Sequence, residues 1–381
     1  MNKRIIHIIT GLNTGGAEMM LYKLLHGMDK DKFQCQVISL TDIGPVGQRI
    51  QALGVPVRAL GMRRGFPNPW AMLKLVSWLR HDSPHIVQTW MYHADLVGGM
   101  AARLAGGIPV VWNIRQSNLD AGNSKRTTIW TVRTCAKLSK SLPARIICCS
   151  EASKRVHIGL GYSANKMIVI PNGFNLLEFR PDPAQRLSVR QELGIPDDAL
   201  LIGLVARFAP QKDHHNFIQA AAVLHVKFPD AHFLLCGDGV TWENPQLVGW
   251  IEKAGLRECC HLLGRRDDMA RVTAAFDIAS SSSYSEGFPN IVGEAMACGV
   301  PCVVTDVGDS ALIVGDTGKV VPPRNPLALA EAWADLIEAG PDMRSRLGSA
   351  ARRRIQENFS LPVVVGKYEA LYEEIIASVR Y

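Results

Sequence analysis

Along the first half of the chain, short runs of β-branched and other apolar residues alternate with longer stretches whose apolar positions recur at helical spacing. The short runs fall at 4–9, 33–40, 85–89, 110–113, 145–149 and 166–170, and the helical patterns at 17–26, 69–80, 95–104, 127–138 and 151–160. That alternation predicts repeated βα units and a parallel, doubly wound sheet. Pro171, Asn172 and Gly173 then lead into a polar stretch through Arg180, Pro181, Asp182 and Pro183, a composition that marks a domain boundary. A second series follows, with strand runs at 201–207, 232–236, 261–263, 278–281 and 301–305 and helical patterns at 216–227, 245–254, 269–275 and 291–298. The last segments, 327–339, 342–357 and 362–379, have helical period and no strand signal, so they are expected to pack outside the sheets or to return to the first domain. The expected architecture is α/β, with two Rossmann-like domains at 1–171 and 172–360 facing a central cleft and a C-terminal helix within 361–381.

Composition narrows the class. The length of 381 residues fits two domains, and 47 % hydrophobic with 20 % charged residues excludes disordered, collagen-like and coiled-coil chains. No apolar run approaches the ~18 residues of a membrane span, and the N-terminus reaches glycines and Glu18 after a short apolar stretch. Neither a transmembrane span nor a signal peptide is expected. The nine cysteines are an odd number set mostly in apolar segments, which argues against a disulfide framework and for a reducing cytoplasm. The Cys148/Cys149 and Cys259/Cys260 pairs and the Cys298 to Cys302 spacing lack the further ligands of a zinc site, so no metal is expected.

Charge divides the halves. Residues 1–171 hold 22 Lys and Arg against 8 Asp and Glu, a balance of +14, whereas the remainder carries −7. The basic half is expected to face something anionic. Lys125, Arg126, Arg133, Lys137, Lys140 and Arg145 follow one another without an acid and are interleaved with Ile129, Trp130, Val132 and Leu138. Such a basic amphipathic helix suits an anionic membrane surface, and Arg63, Arg64, Trp70, Lys74, Trp78 and Arg80 repeat the theme. A solvated basic face with its tryptophans in the core is the competing expectation. Nucleic acid is not an expected partner, because no zinc finger, helix-turn-helix or aromatic RNA-binding signature accompanies the charge.

Loops at the ends of the predicted strands carry the candidate chemistry. Gly11 to Glu18, with Gly15 and Gly16 adjacent, joins the first strand to the first helix. It is not the G-x-G-x-x-G fingerprint, so a nicotinamide or flavin cofactor loses its main support. Its glycines still permit backbone N–H groups to approach a phosphate or sugar at a helix N-terminus, the alternative being a plain turn. Arg207 and Lys212 stand where a strand of the second series ends, and a planar fork beside a compact charge suits a diphosphate. Ser285, Glu286, Gly287, Phe288, Pro289, Asn290, Ile291 and Glu294 form the most specific segment, with one carboxylate on the loop and the other about one turn into a helix. Glu294 is placed to accept hydrogen bonds from vicinal hydroxyls, N–H groups near Asn290 to meet an anion, and Glu286 to lie near a reacting centre. His93 follows another strand end, with Asp95 as a candidate helix N-cap, and Arg115 and Asn118 follow the next as a candidate acceptor wall.

In their order, Gly15-Gly16, the segment from Ile170 to Gly173, Arg207 with Lys212, and the Glu286 and Glu294 pair with seven residues between resemble retaining glycosyltransferase family 4 over essentially the whole chain. The resemblance implies the GT-B architecture and a hexosyltransferase-type enzyme that moves a sugar from a UDP- or GDP-sugar to a carbohydrate acceptor. A lipid-linked acceptor, surface polysaccharide synthesis and a peripheral place at the cytoplasmic face of the inner membrane are expected with it. It implies that Arg207 and Lys212 neutralise the diphosphate, that Glu294 holds the ribose, and that Glu286 sits by the donor sugar. The backbone of Gly287, Phe288, Pro289, Asn290 and Ile291 would hold sugar hydroxyls and phosphate. Gly15 and Gly16 would approach the diphosphate, Gly264 and Arg265 would border the base, and His93 would contact the sugar or the acceptor. The sugar nucleotide is a substrate, and no cofactor is expected. A sugar-nucleotide epimerase, a glycoside phosphorylase and a non-catalytic nucleotide- or carbohydrate-binding module are the alternatives.

Overall fold

The computed structural model describes residues 2–63, 68–116 and 126–379, so Arg64, Asn118 and Lys125 lie outside the described residues. The chain folds as two compact units, Met1–Gly173 with Leu361–Tyr381, and Phe174–Ser360.

The first unit is built on β1 (Lys3–Ile9), β2 (Phe33–Ser39), β3 (Val57–Ala59), β4 (Ile86–Trp90), β5 (Val110–Ile114), β6 (Arg145–Cys148) and β7 (Met167–Val169). All pair in parallel, in the order β3-β2-β1-β4-β5-β6-β7. The order reverses between β1 and β4, and open α/β sheets hold ligands outside the strand ends at that point. Because side chains alternate along a strand, Ile6 and Ile8 of β1 pack with Leu75 and Leu79 of helix Pro69–Asp82. Ile5 and Ile9 face the other way, toward Leu21 and Leu24 of helix Gly16–Gly27 and Val364 and Tyr368 of helix Leu361–Val379.

Helix Leu361–Val379 is tied to this sheet by polar bonds as well as by burial. Tyr372 donates its hydroxyl to Gln88 Oε1. Asn113 Nδ2 donates to the Tyr368 hydroxyl at 3.1 Å, and Glu369 Oε1 accepts from the Asp29 amide at 2.8 Å. Lys3 pairs with Glu373, and Arg145 with Glu374 at 2.7 Å.

The second unit carries β8 (Leu201–Val205), β9 (His232–Cys236), β10 (Cys260–Leu262), β11 (Ile278–Ser281), β12 (Cys302–Thr305) and β13 (Lys319–Val321). Their order is β10-β9-β8-β11-β12-β13, again parallel, with the reversal between β8 and β11. Trp333, fully buried, anchors one face against Phe217 and Phe233 at ring-centroid distances of 5.1 and 6.3 Å.

Periodicity does not announce every element. β3 and β13 are three-residue edge strands, too short to establish alternation, and helix Gly44–Ala52 opens on glycine and proline. Helix Pro183–Leu193 falls in the stretch whose prolines and charges suggest a linker. Pro183 stands in its first turn, where a missing N–H costs nothing. Asp182 caps it by accepting from the Gln185 amide at 3.0 Å. Arg190, only 1 % exposed, bonds Pro196 O and Ala199 O at 2.8 Å and pairs with Asp277 at 2.6 Å.

Among the described residues no helix is long and apolar enough to cross a membrane. The nine cysteines are free.

His7, on β1, is wholly buried, and burial lowers its pKa to about 3. The unfolded chain protonates this ring below about pH 6.5, whereas the folded chain keeps it neutral down to about pH 3. Protons therefore favour the unfolded state, and stability falls as pH drops from about 6.5 toward 4, by about 1.4 kcal/mol per pH unit for this group. Urea unfolding at pH 7 and 4.5 is expected to show a smaller acid loss in His7→Gln than in the wild type. Equal losses would remove His7 from the account.

Candidate functional site

In the second unit, two loops meet at the reversal point. β8 runs into Ala206 to Lys212, and β11 runs into Ser282 to Pro289. Lys212 Nζ forms an ion pair with Glu286 Oε1, both side chains mostly withdrawn from solvent. The same oxygen accepts from Ser283 Oγ at 2.7 Å, so neither bond uses Oε2. The loops are also joined through the backbone: the Tyr284 amide donates to Gln211 O at 3.0 Å, and Ser282 Oγ donates to Lys212 O at 2.9 Å. An ammonium group has three donors, and after Glu286 takes one, two remain for the oxygens of an anion.

The loop after β12 supports this pair from beneath. Asp309 donates its amide to Gly287 O at 2.9 Å. Gly308 has a φ of +60° and lies so close that an added Cβ would stand 2.6 Å from the carbonyl oxygens of Glu286 and Gly287. On the other side, Gly237 has a φ of +154°, and an added Cβ would meet Ala206 O at 2.2 Å. The loops after β8, β9 and β10 are sewn together by Phe208 N to Asp238 O at 2.7 Å and Gly237 N to Gly264 O at 2.8 Å.

Helix Asn290–Ala297 starts after Pro289, with no side-chain cap and no acid in its first turn. Its first N–H groups carry the partial positive charge of a helix start. Glu294 sits one turn in, half-buried. The Phe288 ring belongs to the core, stacked on Phe174 at 6.1 Å and tilted against Phe359 at 5.9 Å, so only its backbone is available to a ligand. Pro289 is buried and Ile291 half-buried. Arg207 is exposed and has no ion-pair partner among the described residues. Gly264 bonds the neighbouring loop and Arg265 is exposed, both beyond the edge strand β10 rather than at the reversal point.

Sequence pattern alone did not single out Ser283, Tyr284, Gly308 or His214. A run of serines from Ser280 to Ser283 is the only signal for the first. His214 lies under the Arg207 loop, its Nε2 3.3 Å from Ala206 O, and burial lowers its pKa to about 4.

In the first unit, Gly15 is the N-cap of helix Gly16–Gly27, and a Cβ added at Gly16 would meet nothing within 4 Å. Its approach is therefore open. A Cβ at Gly15 would meet the Glu18 carboxylate at 2.4 Å, so an acid already folds toward this helix start. His93 lies in the first turn of helix Tyr92–Leu104, half-buried, with its pKa lowered by burial. Asp95 is not the N-cap of that helix. Met91 is, in a strained conformation with φ +71°, while Asp95 turns inward, wholly buried, to accept from Thr89 Oγ1 at 2.5 Å. Burial drives the Asp95 carboxyl well above the ordinary range. Arg115 follows β5, its Nη1 donating to Tyr368 at 3.3 Å and its guanidinium 5.8 Å from the Trp90 ring centre.

The profile described as Glycosyltransferase Family 4 matches residues 14–177, and the one described as Glycosyl transferases group 1 matches residues 185–354. The chain belongs to glycosyltransferase family 4. It is 25% identical over 317 residues to the UDP-Gal:alpha-D-GlcNAc-diphosphoundecaprenol alpha-1,3-galactosyltransferase of Escherichia coli, covering 81% of this chain and 80% of that one. It is 26% identical over 351 residues to the N,N'-diacetylbacillosaminyl-diphospho-undecaprenol alpha-1,3-N-acetylgalactosaminyltransferase of Campylobacter jejuni, covering 87% and 89%. Among solved structures, Anabaena Alr3699/HepE in complex with UDP superposes with a TM-score of 0.86 at 23% identity, over 97% of this chain and all of that one. That likeness establishes the GT-B fold for this glycosyltransferase.

The support under Glu286 makes a test. Gly308→Ala would strain a left-handed backbone and push on the Glu286 and Gly287 carbonyls, so this glycosyltransferase is expected to lose about tenfold or more in turnover. Steady-state kinetics and a melting curve check it. Wild-type turnover in the variant would mean that the loop does not set the position of Glu286.

Proposed function

We propose that this glycosyltransferase acts with retention and without a metal ion, moving a hexose from a nucleoside diphosphate to a lipid-linked carbohydrate acceptor in surface polysaccharide synthesis. The observation that carries the reading is the Lys212–Glu286 pair, with Glu286 on the loop that leads into the uncapped start of helix Asn290–Ala297. As the bond from the anomeric carbon to the diphosphate breaks, its electron pair leaves with the nucleotide. Lys212, Arg207 and the helix start are the groups assigned to stabilise that charge, the part that a metal plays elsewhere. The acceptor oxygen forms the new bond on the same face of the sugar, and its proton passes to the departing diphosphate. Glu286 is assigned to the donor sugar, Glu294 to the ribose hydroxyls, and Gly16, Gly287 and Asn290 to backbone contacts with sugar and phosphate. His93 and Arg115 are assigned to the acceptor.

Support for a uridine diphosphate donor comes from the Escherichia coli relative, named for UDP-Gal, and from the UDP bound to the Anabaena protein. Support for a lipid-linked acceptor comes from the diphosphoundecaprenol in the names of the Escherichia coli and Campylobacter relatives. Thermal denaturation with UDP, GDP and ADP tests the donor reading, since a ligand that binds the folded state raises its stability. UDP is expected to raise the melting temperature of the wild type and to do so far less in Glu294→Ala. No shift with any of the nucleotides would overturn the reading.

A peripheral place on an anionic membrane is proposed from the first unit. Helix Arg126–Leu138 presents Arg126, Trp130, Arg133 and Lys137 on its exposed side, with Trp130 64% exposed and therefore not a core residue. Helix Pro69–Asp82 likewise exposes Trp70 (79%) and Leu73 (60%) beside Lys74. Aromatic side chains among cations suit the boundary between headgroups and acyl chains. Reversing the charge of Arg133 and Lys137 together is expected to lower binding to phosphatidylglycerol vesicles in a flotation assay and to leave activity on a soluble acceptor intact. Undiminished flotation would rule this helix out as the contact.

A further inference from the structure

Four non-glycine residues hold a positive φ among the described residues: Ser83, Met91, Asp213 and Arg324. Ser83 and Asp213 are accounted for as helix caps, Asp213 accepting from the Asn216 amide at 3.2 Å, and Met91 stands at the start of the helix that carries His93. Arg324, with φ +57°, caps nothing, since Asn325 is the N-cap of helix Pro326–Glu338. A non-glycine residue in this region is uncommon and carries strain that its surroundings must hold.

The Arg324 side chain reaches Tyr284. The Arg324 guanidinium carbon lies 4.1 Å from the centre of the Tyr284 ring, a close cation–π stack, and Arg324 has no carboxylate partner among the described residues. Tyr284 sits between Ser283, which bonds Glu286, and Glu286 itself, and its amide is the backbone bond to Gln211, the neighbour of Lys212. Pro322 and Pro323 stiffen the approach from β13, and the end of that strand is fixed by Asp306 N to Val321 O at 2.8 Å.

We infer that Arg324 is a positioning residue: its stack on Tyr284 holds the Ser283–Glu286 loop against the Gln211–Lys212 loop and so sets the Lys212–Glu286 pair. The strain at Arg324 is the cost of bringing that guanidinium over the ring. Arg324 acts through Tyr284 and needs no contact with a substrate.

Hydrogen exchange on the whole unliganded chain tests this without any knowledge of the donor. In Arg324→Ala, the peptide containing Tyr284 is expected to exchange several-fold faster than in the wild type, while peptides from the first unit do not change. Arg324→Lys, which keeps a cation over the ring, should retain protection near the wild-type level, and so should Tyr284→Phe, which keeps the ring under Arg324. Arg324→Gly gives the readout that separates positioning from simple support, because glycine adopts this φ freely. Its melting temperature should be equal to or above that of the wild type, while turnover of the UDP-sugar that the wild type accepts falls about tenfold. The turnover arm rests on the donor reading proposed above; the exchange arm does not. Failure of the wild type to turn over any UDP-, GDP- or ADP-sugar would overturn that reading and leave the exchange comparison to decide this one. Wild-type exchange at Tyr284 in Arg324→Ala, or wild-type turnover in Arg324→Gly, would overturn the inference.

Discussion

The second unit turns on one electrostatic constraint, a carboxylate and an ammonium group held together at the point where a parallel sheet reverses its strand order. Glu286 and Lys212 come from loops after adjacent strands, β11 and β8, and each is withdrawn enough from water that it needs the other. Separating such a pair leaves a charge poorly solvated, so the loops are locked as well as linked. Backbone bonds at Tyr284 and Ser282 do the locking, and Gly308 and Gly237 let neighbouring loops press close enough to help. The same arrangement leaves donors of Lys212 and the start of a helix available to an anion, which is what a departing diphosphate requires.

The first unit follows the same sheet logic with a different kind of support. Its sheet is covered on one face by the C-terminal helix, whose tyrosines reach buried amide and guanidinium groups at Gln88, Asn113 and Arg115. Each of these side chains finds one partner in a segment more than 250 residues away in sequence, while Gln88 Nε2, Asn113 Oδ1 and Arg115 Nη2 are buried with no hydrogen-bond partner among the described residues. Arg115, one of the side chains assigned to the acceptor, is thus oriented by the C-terminal helix as well as by its own strand.

Much of this was legible in the sequence, for physical reasons. A strand buried on both faces leaves a continuous apolar run, which is why the longer strands of both sheets stand out, whereas the three-residue edges β3 and β13 do not. The Glu286 and Glu294 pair was legible because its loop and helix are contiguous in the chain. Ser283, Gly308 and Arg324 were not, because each contributes through a contact made across strand ends that no local pattern encodes. Asp95 misled for a related reason: an acid near a helix start looks like a cap until the buried hydroxyl of Thr89 claims it. The helix at Pro183–Leu193 was masked by its own prolines and charges, and it is tied to the sheet by the long-range bond from Arg190 to Asp277.

The central claim is that the cation of this pair stabilises a departing nucleoside diphosphate. Turnover of the nucleotide sugar by Lys212→Ala, followed as release of the nucleoside diphosphate, tests it most directly. The account predicts a fall in kcat of about 100-fold or more, with the melting temperature still raised by the nucleotide. A variant that folds and turns over at the wild-type rate would contradict it.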